Sequence, residues 1–189
     1  MPGLVGPIGV AMNNDSKRKG ARLQNKLLVS LACIWAAALV GQPVSAQRAP
    51  ADIDALAVEE FQPLLDSYQG RVTLVNLWAT WCAPCLREIP ELLELEAELA
   101  DRGFSLIAIS LDDADEVETI REFRDEWFPT LKTWHNTTRD WFQLIATLEP
   151  NWSGVLPTSF LLDREGNLVA TITGGKDYAA FEAEIVPLL

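Results

Sequence analysis

Two cysteines separated by two residues, Cys82-Ala83-Pro84-Cys85, are the part of this 189-residue sequence best suited to chemistry. A thiolate is a strong nucleophile, and two thiols at this spacing can close a disulfide with each other. The pair therefore suits exchange of a dithiol for a disulfide. The run ahead of it, residues 72–78, is β-rich with few polar residues, as in a strand buried on both faces. The residues after it repeat apolar side chains at helical spacing. The cysteines thus fall at a strand-to-helix junction, where unpaired N–H groups and the helix dipole favour an anion and lower a Cys pKa from about 8.5. Cys82, at the helix start, is expected to reach solvent and attack. Cys85, one turn later and pointing inward, is expected to resolve the mixed disulfide. Pro84 in the first turn gives up no intrahelical bond and stiffens the loop.

A C-x-x-C pair is also half of a zinc site, but a tetrahedral structural site needs two further Cys or His ligands, and His135 is the one histidine in the sequence. A carboxylate-completed metal site is the minor alternative, and His135 is read as an ordinary surface or turn residue. No cofactor is expected beyond the redox-active Cys82–Cys85 disulfide itself. The third cysteine, Cys33, lies in an apolar run, residues 27–40, preceded by Lys17, Arg18, Lys19, Arg22 and Lys26 and followed by Val44-Ser45-Ala46. That is the layout of a secretory signal cleaved after Ala46, with an uncleaved amino-terminal membrane anchor as the alternative. Residues 1–46 are read as signal or anchor and 47–189 as one domain, exported or periplasmic in either case, with the membrane reached only through the amino-terminal segment.

The whole chain has 15 Lys+Arg against 27 Asp+Glu. Without residues 1–46, which hold five basic residues and one acid, 10 Lys+Arg face 26 Asp+Glu, a formal charge of −16. A domain this acidic lacks the positive footprint that nucleic acid requires, and an anionic lipid surface repels it.

The elements that must position the cysteines follow from periodicity. A leading helix is expected over residues 52–68, with Pro63 as a possible break, and Gly70 stops it. The strand 72–78 and a helix over 84–102, with Pro90 inside it, lead through Gly103 to a second buried strand, 104–111, closing a right-handed β-α-β unit. Asp112 and Asp113 cap the next helix, expected over 116–127, and beyond it come a short strand over 131–134 and a helix over 139–148. Residues 158–162 and 168–173 flank an Asp/Gly/Asn turn as an antiparallel hairpin, and a final helix runs from Tyr178 to about Leu188. The expected fold class is α/β, a mixed sheet covered by helices on both faces.

The segment Val75-Asn-Leu-Trp-Ala-Thr-Trp-Cys-Ala-Pro-Cys-Leu-Arg-Glu-Ile-Pro90 resembles the active-site segment of TlpA-type and ResA-type thioredoxin-like proteins, and the similarity spans most of residues 69–189. A second motif, Gly154-Val-Leu-Pro-Thr-Ser-Phe-Leu-Leu-Asp-Arg-Glu-Gly166, resembles the family's segment with a cis-proline opposite the cysteines. The resemblance implies a thioredoxin-like fold, Pro157 in cis, and a Leu156 backbone placed to pair with an extended substrate. It also implies an exported reductase of protein disulfides, such as those that keep apocytochrome cysteines reduced for haem attachment, served by a membrane thiol donor. The acid that thioredoxin carries six residues before its first cysteine is Asn76 here, as is common in the TlpA-type branch. Asn76 cannot shuttle a proton from Cys85. Glu88, one turn beyond Cys85, is then the candidate general base, with water as the alternative acceptor and a surface salt bridge to a nearby Arg as the competing reading of Glu88 itself. Trp78 is read as core and Trp81 as an apolar docking surface, while Trp152 either extends that surface or packs under its loop.

The sequence is thus read as a thiol:disulfide oxidoreductase acting on protein dithiols and disulfides. Two competitors are weaker. A redoxin-type thiol peroxidase would have Thr where Ala79 stands, and a copper-handling protein on the same fold would have a C-x-x-x-C pair with a distant His.

Overall fold

The computed structural model describes residues 53–189. The expected signal or anchor segment lies outside the described residues, and among them no helix is long and apolar enough to cross a membrane.

Six strands form one sheet in the order β1-β4-β3-β2-β5-β6. They are β1 (Ile53–Leu56), β2 (Val72–Trp78), β3 (Phe104–Ser110), β4 (Thr133–Asn136), β5 (Thr158–Leu162) and β6 (Leu168–Thr173). The helices are α1 (Val58–Asp66), α2 (Ala83–Leu99), α3 (Val117–Trp127), α4 (Trp141–Ile145) and α5 (Tyr178–Ile185), with short 3₁₀ turns closing α2 and the chain end. β1 to β4 run parallel, and β5 and β6 are antiparallel additions. The expected mixed sheet is present.

The two central strands explain their near-continuous apolar sequence, because every residue of β2 and β3 is buried. Alternate residues feed two cores. Leu74 and Trp78 pack with Leu92 and Leu95 of α2, Ile120 of α3 and Phe181 of α5, while Val75 and Leu77 pack with Phe61 of α1 and Leu144 of α4. A strand period of two with helices on both faces requires this division.

The largest departure from the sequence reading is at the start. Residues 52–68 were expected as one helix, but Ile53–Leu56 is a strand paired in parallel with β4. Ile53 and Leu56 are buried and Asp54 and Ala55 exposed, a pattern as compatible with a helical stripe as with a four-residue edge strand. The helix begins only after Ala57, whose N–H is accepted by Glu60 Oε2 at 3.0 Å, and it runs through Pro63. The fourth strand also sits two residues later than expected, and α4 is five residues long rather than ten. The hairpin is as expected. Asp163 Oδ1 accepts from the N–H groups of Glu165 and Asn167, and Gly166 takes the positive φ of +84° that the turn needs.

Arg164, in that turn, ties three chain segments together by donating to the carbonyls of Gly70 at 2.9 Å, Arg102 at 3.1 Å and Leu189 at 2.8 Å. Gly103 beside it takes a φ of +97°, which favours glycine, and a Cβ there would stand 2.8 Å from the Arg164 Nη1 and push the guanidinium aside. Arg164→Ala should lower the unfolding free energy by about 1–2 kcal/mol, the range for a few part-exposed charge-assisted hydrogen bonds. Urea denaturation measures this, and a loss under about 0.5 kcal/mol, as for an ordinary surface substitution, would show that the clamp is idle.

Candidate active site

β2 delivers the cysteines. Leu111 N–H donates to the Trp78 carbonyl at 2.8 Å, so the β2–β3 ladder runs to the last residue of β2, and Cys82 N–H then donates to the Ala79 carbonyl at 3.1 Å to close a tight turn. Cys82 is the N-cap of α2. Its Sγ accepts the Cys85 N–H at 3.3 Å and its carbonyl accepts the Leu86 N–H at 3.1 Å, with Pro84 in the first turn as expected. An acceptor sulfur at a helix N-terminus is the arrangement that favours a thiolate once the pair is reduced.

Cys82 and Cys85 are joined as a disulfide with their Cα atoms 5.3 Å apart. The expected solvent access of Cys82 needs correction. It is only 5% exposed, because the turn lays it into the core beside Trp78, Ala79 and Cys85. Trp81 alone in that turn stands out, 62% exposed next to the disulfide. Trp78 is core, as read, with its indole N–H on Thr133 Oγ1 at 2.9 Å.

Glu88 is placed unambiguously by the structure. It lies on the inner face of α2, one turn beyond Cys85, and is 2% exposed, which rules out the surface salt bridge. Asn76 Nδ2 donates to Glu88 Oε1 at 2.8 Å and to Ser159 Oγ at 2.9 Å, and the Lys176 N–H donates to Glu88 Oε2 at 3.3 Å. Burial pushes the carboxyl up to about 7, against the hydrogen bonds from Asn76 and Lys176 and the Lys176 charge, which favour ionisation. Asn76 therefore holds the carboxyl that the sequence reading treated as independent of it. Ser159, opposite Asn76 in the β2–β5 register, was missed, because a Ser within a strand motif carries no signal of its own.

The Leu156–Pro157 peptide is cis, as the resemblance implied. Thr158 pairs with Leu77, so Pro157 sits level with the end of β2, where the cysteine turn departs. Its carbonyl accepts the Gly174 N–H at 2.9 Å. The next residue of that β6–α5 loop, Gly175, lies where a Cβ would be 3.5 Å from the Pro84 carbonyl, and Lys176 follows with its bond to Glu88. One loop thus connects Pro157, the first turn of α2 and the buried carboxyl.

Leu156 is half-buried and packs against both cores. Trp152 is buried, so it packs under the loop and does not extend the surface. The exposed ring there is Phe142, which lies 5.4 Å from the Trp152 ring and covers Gly154. His135 is also corrected: it is buried on β4, 3.4 Å from the Asp113 carbonyl, because the strand extends two residues beyond its expected end. Among the described residues no group of three or more His, Cys, Asp or Glu is arranged to hold a metal ion.

Comparisons with known proteins agree with this geometry. The family model described as the AhpC/TSA family matches residues 46–171. Among curated relatives, a thiol-disulfide oxidoreductase ResA from Oceanobacillus iheyensis is 28% identical over 120 residues, 62% of this chain and 57% of that protein. A ResA from Bacillus cereus is 33% identical over 114 residues, 58% of this chain and 59% of that protein. The chain thus spans somewhat over half the length of these relatives. The thioredoxin domain of a thiol-disulfide oxidoreductase from Bacteroides vulgatus superposes with a TM-score of 0.54 at 25% identity, covering 64% of this chain and 84% of that one. A thiol:disulfide interchange protein of the thioredoxin family from Chlorobium tepidum, 24% identical, covers 77% of this chain and 99% of its own with a TM-score of 0.56, and shows the fold. The thioredoxin-like fold that the family resemblance implied is the class found.

Proposed function

The chain belongs to the AhpC/TSA family, whose model matches residues 46–171, and from that premise we propose that it is a thiol:disulfide oxidoreductase acting on protein substrates. The observation that carries the reading is the Cys82–Cys85 disulfide at the strand-to-helix junction, with Sγ of Cys82 as the helix N-cap. The similarity to proteins named thiol-disulfide oxidoreductase supports it.

In the reducing direction, the Cys82 thiolate attacks one sulfur of a substrate disulfide, forming a mixed disulfide and releasing the other substrate sulfur as a thiolate. Cys85 then loses its proton and attacks Cys82 Sγ. That step closes the Cys82–Cys85 disulfide and releases the second substrate sulfur. Glu88, one turn from Cys85, takes the proton. Trp81 and the Leu156 backbone receive the substrate segment. We assign the chain to an exported location, with residues 1–46 as signal or anchor, a thiol-type membrane donor restoring the dithiol, and apocytochrome c cysteines among its substrates. Direction depends on potential, a tenfold change in equilibrium constant corresponding to about 30 mV.

The full chain, supplied with a dithiol donor, should reduce insulin disulfides above the donor's own rate. Hydrogen peroxide and Cu(I) serve as contrasts. Turnover of peroxide without disulfide reduction would replace this reading with a peroxidase, and tight stoichiometric Cu(I) binding lost in His135→Ala would replace it with copper handling.

A further inference from the structure

Asp112 follows β3 and was expected, with Asp113, to cap the next helix, but the N-cap there is Glu116 and no side chain caps it; Asp113 instead closes a turn ahead of the helix, its N–H accepted by Glu116 Oε2 at 3.1 Å and its carbonyl accepting the Glu116 N–H at 2.9 Å. The Asp112 side chain turns instead toward the cysteine turn. Both of its oxygens accept the Thr80 N–H at 3.1 Å, Oδ1 accepts the Thr80 hydroxyl at 2.6 Å, and Oδ2 accepts the Ser110 hydroxyl at 2.6 Å. At 1% exposure this carboxyl is removed from water, a position a polar group holds only when its bonds are replaced, and here neutral donors replace them. Thr80 and Trp81 are the central residues of the Ala79–Cys82 turn. Gripping the first by both its N–H and its hydroxyl leaves the turn little freedom.

We propose that Asp112 is a positioning residue for exchange with protein disulfides: through Thr80 it fixes the turn that presents Trp81 and Cys82 against the end of β3. The inference rests on the exchange reading above and adds a residue to it. A protein substrate must seat a chain segment against the exposed Trp81 while its sulfur approaches Cys82, so it depends on the turn's geometry, where a misplacement of about 1 Å can cost up to about a hundredfold in rate. A small aromatic disulfide needs only the sulfur. Loss of the grip should therefore separate the two substrates, which a general loss of folded protein would not do.

The test compares insulin with 5,5′-dithiobis(2-nitrobenzoate) as oxidants of the reduced full chain. In Asp112→Ala, kcat/KM for insulin should fall about tenfold, chiefly through KM, while the small disulfide reacts within about twofold of the parent rate. Thr80→Val, which keeps the N–H but loses the hydroxyl, should shift insulin in the same direction by about threefold, and Thr80→Ser should restore the parent value. The double variant Asp112→Ala/Thr80→Val should be no slower than Asp112→Ala alone, because the hydroxyl contact that Thr80→Val removes is already gone in Asp112→Ala. Equal losses on both substrates, multiplicative effects in the double variant, or parent-like insulin kinetics in Asp112→Ala would each overturn the proposal. If Asp112→Ala does not fold, Asp112→Asn and the Thr80 pair decide by the same criteria. Failure of the parent to react with either disulfide would instead overturn the exchange reading itself.

Discussion

Cys82→Ser should lose insulin reduction by roughly three orders of magnitude or more, to the background of the dithiol donor, as removal of a nucleophile does in covalent catalysis. Serine keeps the N-cap, since its hydroxyl can accept the Cys85 N–H that Sγ now accepts at 3.3 Å, so the helix start survives while the thiolate is gone. Cys85→Ser should behave differently. Cys82 can still attack, but nothing displaces the substrate, and a mixed disulfide should accumulate and appear by mass spectrometry. The two cysteines close a loop of four residues, for which the chain-entropy relation gives only about 2 kcal/mol of stabilisation, so all variants are best compared reduced, where that difference vanishes. A Cys82→Ser chain that reduced insulin at the parent rate, or a mixed disulfide formed through Cys85 in that variant, would reverse the assignment of the two sulfurs.

The parts of this site legible in the sequence were those in which residue type alone dictates the physics. A buried central strand requires a continuous apolar run, a helix start tolerates Pro84, and two cysteines three apart on a turn can bond, so β2, α2 and the disulfide follow from local pattern. What pattern does not encode is which polar groups meet across the sheet. Asn76 and Ser159 are 83 positions apart and become partners only because β2 and β5 pair in one register. Asp112 and Thr80, 32 apart, meet because β3 ends level with the cysteine turn. Glu88 carried two equal readings because α2 also has partly exposed faces on either side of it, and only packing against β2 turns it inward. The two open readings of Trp152 have a related cause. An indole in a turn-rich segment has no periodicity to place it, and the short α4 supplied Phe142 as the exposed ring in its stead. At β1, the four residues were too few to show their period, and the strand exists because β4 offers it an edge.

Glu88→Gln should slow resolution of the mixed disulfide by about a hundredfold near pH 7.5, the lower end of the usual worth of a positioned general base. The expected pH dependence is as informative as the size. With the carboxyl pushed up to about 7 by burial, its ionised form, the one able to take the Cys85 proton, grows in through that pH. The parent resolution rate should therefore rise with a midpoint near 7, and the Gln variant should lack that step and approach the parent only where hydroxide ionises the thiol directly. Gln keeps one oxygen acceptor, which can take the 2.8 Å bond from Asn76, while its NH2 stands in place of the oxygen that accepts the longer 3.3 Å bond from the Lys176 N–H. Stability gives an independent reading with a fixed sign. A folded pKa of about 7 lies above the ordinary 4.5, so between these values the native state binds more protons than the unfolded one, and stability falls as pH rises from 4.5 toward 7. Glu88→Gln should remove that slope and leave the variant more stable than the parent at pH 8 by about 1–3 kcal/mol, while the two differ little at pH 4. Stopped-flow tryptophan fluorescence and urea denaturation across pH 4–8 measure both. A Gln variant with the parent's pH profile would take the proton-transfer role from Glu88, and a parent whose stability rises over that range would contradict the raised pKa on which the role depends.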